Sequence, residues 1–332
     1  MKIGDKLSIH CYKHNGKIDR ISGEAVVIDI KDDYISLIAN SIRLGNRKIK
    51  LVIDCGNGTC SIVVKDILDK LNVDYDLLYC DSDPTFPHHH PDPSVSSNLV
   101  DIQKRVVDIK ADLGIAVDAD GDRVRIIDNN GNLINSDIYM LLMYRYLNSN
   151  LKVRKALYDV KCSKALIDEL DKLNLEQIMY RTGNSYMYRK MHEENLDFAG
   201  EYSGHMWFGD RFYGFDDGIY AGLRIVEILS NTSTNLSGLL TNINEYYSTD
   251  ELKLNTTEEN KVMIVSKMKD YALSKNYKFN DIDGIRVEFD DSWALIRYSN
   301  TGPVLTVRFE ANTEKRLEEI QKEFMDIINP LL

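Results

Sequence analysis

Apolar and polar positions change rhythm several times along this 332-residue chain. Over residues 1–45, the β-branched runs KLSIHCY and EAVVIDI flank His14-Asn15-Gly16, a turn signal, and predict short strands. From Arg47 the apolar run KIKLVID leads into Cys55-Gly56-Asn57-Gly58, then into SIVVKDILDKL with helical spacing. Strand, glycine-rich loop and helix open a βαβ unit. DLGIAVD predicts a second buried strand, and between the two lies the stiff loop DSDPTFPHHHPDPS, with four of the six prolines. RKALYDV and KALIDELDKL start a further strand–helix set that continues through FAGEYSG and IYAGLRIVEIL. Beyond Thr249, GIRVEFD, WALIRYS and VLTVRFEA read as strands and KRLEEIQKEFMDIINPLL as an amphipathic closing helix.

The pattern predicts an α/β protein: an N-terminal β segment over 1–46, mixed α/β domains over 47–148 and 149–250, and a C-terminal α+β domain over 251–332. With 52 acidic and 41 basic side chains the net charge is −11, which disfavours a nucleic-acid partner. No apolar run approaches the roughly 18 residues of a membrane span, and the N-terminus lacks an apolar signal core. Five scattered cysteines without a CxxC pair suit a reduced, cytoplasmic protein.

Asp118-Ala119-Asp120-Gly121-Asp122-Arg123 carries the sharpest chemistry. Carboxylates at i, i+2 and i+4 repel one another unless a cation neutralises them, and hard oxygens suit Mg²⁺. An EF-hand is excluded, because Gly121 falls fourth instead of sixth, Asn129 stands where the twelfth-position Glu belongs, and the flanks are strands. A solvated acidic turn is the bland alternative; Arg123 favours a metal that also meets an anion. Glu201, Ser203 and His205 alternate within Gly200–His205 and can face one way toward sugar hydroxyls, or form a polar turn. Arg297, Ser299, Asn300 and Thr301 lie between two strands and can make an anion cradle, or an ordinary turn. Adjacent His88, His89 and His90 point in different directions, so a structural role in the proline loop outweighs a metal cluster. Asp216 and Asp217 suit the organisation of an interdomain loop.

In this order the three motifs, with VIDCGNG, YDVKCSKAL and RFYGFDDGIYAGLR, resemble the α-D-phosphohexomutases, in particular the phosphomannomutase/phosphoglucomutase branch, from about Lys48 onward. Tyr202 and Asn300 point away from glucosamine-phosphate mutases. The resemblance implies a bilobal, four-domain enzyme that moves phosphate between O1 and O6 of a hexose by way of a phosphoserine and a bisphosphate. It implies that Asp118, Asp120 and Asp122 hold Mg²⁺ and that Arg123 faces the transferring phosphate. It further implies that Glu201, Ser203 and His205 contact the sugar, that Arg297, Ser299, Asn300 and Thr301 grip the second phosphate, and that Lys161 is catalytic. The implied partners are mannose or glucose 1- and 6-phosphates and the 1,6-bisphosphate.

The chain also departs from that pattern. No Ser-His dipeptide of the phosphoserine loop occurs, and the 46 residues before the second family domain are fewer than a first domain needs. Those residues resemble, more weakly, the start of the domain-of-unknown-function-402 β-barrel family. Asn184 stands where the family commonly has His, and cannot shuttle a proton near neutral pH. Ala119 replaces a usual glycine in the metal loop. The expectation is an incomplete mutase; the alternatives are a non-catalytic Mg²⁺ and hexose-phosphate binder, or the partner of a first domain supplied in trans. A nucleotide or RNA contact at Lys13, His14, Lys17 and Arg20 is disfavoured by the acidic balance.

Overall fold

The computed structural model describes residues 10–12, 18–20, 29–299 and 302–332. Strands β1 (His10–Tyr12) and β2 (Ile18–Arg20) pair antiparallel, with His10 opposite Arg20. The turn expected at His14–Gly16 and most of the EAVVIDI strand lie outside the described residues. Residues 31–41 correct the expectation of strands throughout 1–45, because they form helix α1 (Lys31–Ser41). Ile35, Ile38 and Ile42 recur on one helical face and are buried in the core of the following domain. Burying that face decides the helix over its β-branched content.

Five strands follow: β3 (Lys50–Asp54), β4 (Asp74–Leu78), β5 (Leu113–Val117), β6 (Val124–Ile127) and β7 (Leu133–Ile134), in the sheet order β4-β3-β5-β6-β7. The first three run parallel, joined through α2 (Val64–Leu71) and α3 (Val100–Asp108), and the last two are antiparallel. Chain order reverses between β3 and β5, so the loops leaving these neighbours lie side by side, where α/β sheets form crevices. Thr59 N donates to Ala119 O at 2.8 Å. A Cβ at Gly58 would stand 2.6 Å from that same oxygen, so only glycine permits this approach.

Helix α4 (Ser136–Leu147) leads to a second sheet, ordered β11-β10-β8-β9, of β8 (Lys155–Asp159), β9 (Glu176–Tyr180), β10 (Phe198–Gly200) and β11 (Met206–Phe208). Its helices are α5 (Lys164–Lys172), α6 (Asn184–Glu193), α7 (Gly218–Ser230) and α8 (Leu236–Leu239). The same reversal recurs between β8 and β10, which brings the loops bearing Lys161 and Glu201 together. Helix α7 is buried along its whole length between the two sheets and begins against the carboxylate loop, with Gly218 N donating to Gly121 O at 2.8 Å.

The C-terminal sheet, ordered β12-β17-β16-β15-β14, is antiparallel: β12 (Tyr247–Ser248), β13 (Leu252–Asn255, also on β17), β14 (Lys278–Asn280), β15 (Ile285–Glu288), β16 (Ser292–Tyr298) and β17 (Val304–Ala311). Helices α9 (Glu258–Ser274) and α10 (Glu314–Ile328) cover one face around Met268, Phe309 and Phe324. The other face is buried on the second α/β domain: Arg286 donates to Val160 O and Cys162 O at 2.6 and 2.7 Å. Both faces are therefore occupied, which is why β16 is buried at nearly every position. No described helix is long and apolar enough to cross a membrane.

Candidate functional site

The loop after β5 places Asp118, Asp120 and Asp122 with one carboxylate oxygen each within 4.8 Å of the others. Asp118 is buried; its Oδ1 accepts the N–H groups of Gly121 and Arg123, and its Oδ2 accepts Arg123 Nε at 2.7 Å. Asp120 is exposed at the tip of the same turn. Burial, with Asp120 and Asp216 nearby, raises the Asp122 pKa against the opposing pull of His205. A cation would relieve this repulsion, and the donor set is oxygen alone, which fits Mg²⁺. Arg123 also reaches Asp92 at 3.1 Å; burial alone would lower its pKa, but Asp118 and Asp92 hold it above the ordinary value.

The Glu201–His205 turn joins β10 to β11. Glu201 Oε1 accepts Gly183 N at 2.7 Å and its Oε2 accepts the Ser203 hydroxyl at 2.8 Å. Burial, reinforced by Asp159, raises its pKa. Gly204 adopts a φ of +111°, and its carbonyl accepts Val124 N at 3.1 Å, so this turn is hydrogen-bonded to the strand leaving the carboxylate loop. His205 stacks on Trp207 and its Nδ1 lies 2.7 Å from Asp216 Oδ2 and 3.6 Å from Asp122 Oδ1. Burial works most strongly against its protonation, but the Asp216 bond and the charges of Asp122 and Glu201 together outweigh it and raise the pKa. Asn184 Nδ2 donates to the same Asp216 oxygen, at 2.5 Å. Asp122, His205 and Asp216 thus form a second convergent group.

Lys161 lies buried beside this turn, with Nζ 3.0 Å from Glu251 of the C-terminal domain and 3.8 Å from Asp159. Burial opposes its charge; Asp159 and Glu251 restore it and raise the pKa. At the end of β16, Arg297 is also buried and forks onto Asp283, at 2.9 Å through Nε, while Thr182 N donates to the same carboxylate at 3.0 Å. Lys261, absent from the sequence expectations, holds the turn after β16 by donating to Ser299 O and Gly302 O at 3.0 and 3.1 Å. Asn300 and Thr301 lie outside the described residues.

The histidine loop separates its rings: His88 Nδ1 meets Asn57 Oδ1 at 2.8 Å, whereas His89 Nε2 meets Asp54 Oδ2 at 3.1 Å. Sequence reasoning missed Asp92 and Asp283, which carry no motif of their own; only their proximity to Arg123 and Arg297 reveals them.

Asp217 caps α7 by accepting Tyr220 N at 2.8 Å and takes the Tyr34 hydroxyl at 2.7 Å. Burial pushes its pKa up to about 6 from 3.8. A carboxyl raised in the folded state contributes stability that is full below the unfolded value and is lost as pH rises through the folded one. Stability should therefore fall between about pH 4 and 6 by a component that Asp217→Asn lacks, since an amide oxygen can still cap. Urea unfolding across that range measures it; parallel pH profiles for both proteins would refute it.

Two α/β layers carrying a carboxylate turn and a Glu-Ser-His turn, closed by an antiparallel α+β domain with an arginine turn, define the architecture of a phosphohexomutase. Family models for phosphoglucomutase/phosphomannomutase match in succession: α/β/α domain II over residues 32–131, α/β/α domain III over 135–247 and the C-terminal domain over 251–327. The chain belongs to the phosphoglucomutase/phosphomannomutase family. It is 35% identical over 302 residues to the phosphomannomutase/phosphoglucomutase of Pseudomonas putida, covering 91% of this chain and 65% of that protein. With the phosphoglucomutase of Neisseria meningitidis serogroup A it shares 37% over 314 residues, 93% of this chain and 68% of that one. The crystal structure of a family protein from Burkholderia thailandensis superposes with a TM-score of 0.82 at 36% identity, covering 91% of this chain and 65% of that one. The chain thus spans about two thirds of the length of these relatives.

Proposed function

We propose that this chain binds hexose phosphate together with Mg²⁺ and serves a phosphomannomutase/phosphoglucomutase-type transfer of phosphate between O1 and O6. The observation that carries this reading is the Val124–Gly204 hydrogen bond, which ties the carboxylate turn to the Glu201–His205 turn. Asp118, Asp120 and Asp122 would hold Mg²⁺, which when bound supplies positive charge beside a transferring phosphate. The second group, Asp122 with His205 and Asp216, includes an imidazole and suits Mg²⁺ less well. Arg123 faces the anion, Glu201, Ser203 and His205 orient sugar hydroxyls, and Arg297 and Ser299, with Asn300 and Thr301, grip the second phosphate. Lys161 adds positive charge at the cleft as a catalytic group. A fold relative, an Aspergillus fumigatus N-acetylphosphoglucosamine mutase, was solved with GlcNAc-6P and magnesium, and a serine-to-alanine variant of it with glucose 1,6-bisphosphate. For this chain the corresponding ligands are mannose or glucose 1- and 6-phosphates and the 1,6-bisphosphate.

The metal assignment is tested by titrating Mg²⁺ or Mn²⁺ against the wild type and Asp120→Asn. Affinity of about millimolar strength is expected for the wild type, in the weak range of carboxylate sites, with a clear loss in the variant. Identical curves would remove Mg²⁺ from this turn.

A second reading has the protein hold these ligands without turnover, or act with a first domain supplied in trans. The sequence favours it at two points: no Ser-His dipeptide is present, and residue 184 is Asn.

A further inference from the structure

We propose that Arg125 anchors a phosphate-binding pocket between the three domains, separate from the turn at Arg297. Arg125 sits on β6 and is 5% exposed. Its Nη2 donates to Tyr202 O at 3.1 Å, but Nε and Nη1 have no hydrogen-bond partner among the described residues. A guanidinium stays charged in proteins, and buried N–H groups left unpaired are strongly unfavourable. The side chain lines a cavity of about 550 Å³, bounded also by Ser94, Arg123, Lys161, Ser203 and Lys253.

Four basic side chains line this cavity against three acidic ones, and Arg308 lies beyond Tyr202. Arg308 is 1% exposed, and its guanidinium lies 3.8 Å from the centre of the Tyr202 ring; that of Arg125 lies 5.5 Å from it. The hydrogen bonds of Arg308 go to neutral oxygens of Thr249, Lys161 and Ser248. Two acids lining the cavity are already engaged, Glu251 by Lys161 and Asp92 by Arg123. Asp250 and Lys253, both exposed, offset each other. Burial, with Arg308 nearby, lowers the Arg125 pKa although Asp137 and Glu251 pull the other way. Arg308 has the carboxylates of Asp137 and Glu310 beside it, so Arg125 is the buried cation left without an ion pair among the described residues, an arrangement that an entering anion would stabilise. Phosphate suits it better than a carboxylate, because it offers several acceptor oxygens to the unpaired N–H groups of Arg125. The pocket shares Arg123, Lys161 and Ser203 with the proposed substrate cleft, so the inference rests on that reading, and its own observation is the unpaired Arg125 guanidinium.

The test titrates inorganic phosphate into the full chain by calorimetry and thermal melting, with wild type, Arg125→Leu, Arg125→Gln and Arg297→Ala. Arg297→Ala should keep an Arg125-dependent phosphate response, whereas both Arg125 variants should weaken it roughly tenfold or more. Without phosphate, the Arg125 variants should melt no lower than wild type, because they remove an uncompensated buried charge. An unchanged phosphate response in either Arg125 variant would overturn the proposal, as would melting of both well below wild type without phosphate, the mark of a purely structural arginine. Complete loss of the response in Arg297→Ala would overturn it too, and would leave the proposed function standing.

Discussion

Assayed by itself with glucose 1,6-bisphosphate as activator, this chain should interconvert hexose 1- and 6-phosphates at least about 10³-fold more slowly than a relative carrying its phosphoserine domain. Positioning a phosphorylated hydroxyl in line beside the metal supplies most of the catalysis in phosphoryl transfer. Two serines near the site are otherwise engaged: Ser163 caps α5 by accepting Ala165 N at 3.0 Å, and Ser203 donates to Glu201. Asn184 cannot exchange a proton near neutral pH and commits its amide to Asp216. A coupled assay with and without a family first domain added in trans reads the effect. Ordinary rates from the chain alone would overturn the expectation, and Thr59 would be the first hydroxyl to substitute. It lines a cavity of about 300 Å³ with Asp120 and Asp122 and donates to Ala119 O at 3.1 Å.

Arg297→Ala should weaken glucose 6-phosphate or mannose 6-phosphate binding by about 2 kcal/mol or more, roughly 30-fold. Loss of a buried charged donor removes the group best suited to phosphate in an acidic protein. It also strands Asp283, which is 5% exposed and shares Arg297 with Thr182 N. The double variant Arg297→Ala/Asp283→Asn separates the two effects: it should melt higher than Arg297→Ala, because no unpaired buried carboxylate remains, while the loss of binding persists. Calorimetry that finds unchanged affinity in Arg297→Ala would place the phosphate turn elsewhere.

Local pattern was enough to read the strand–loop–helix at residues 50–71, the carboxylate turn after β5 and the closing strands and helix. Each follows from periodicity within a few residues and from turn chemistry such as that of Gly56 and Asn57, both at positive φ. The three motifs could likewise be picked out from sequence, since each is a short run between two strands. Helix α1 was misread because its isoleucines favour strands locally; its helical face gains stability only when α2 and the α/β core are present to cover it. Which acids pair with distant groups around the site was not legible locally. Tyr34 meets Asp217 across 183 positions, Thr182 meets Asp283 across 101, and Arg123 meets Asp92 across 31. The sequence by itself determined the elements and the chemical groups at their ends; the tertiary structure alone decided which charges are paired. Burial makes those partnerships strong, and only the packing of sheets against one another creates the burial.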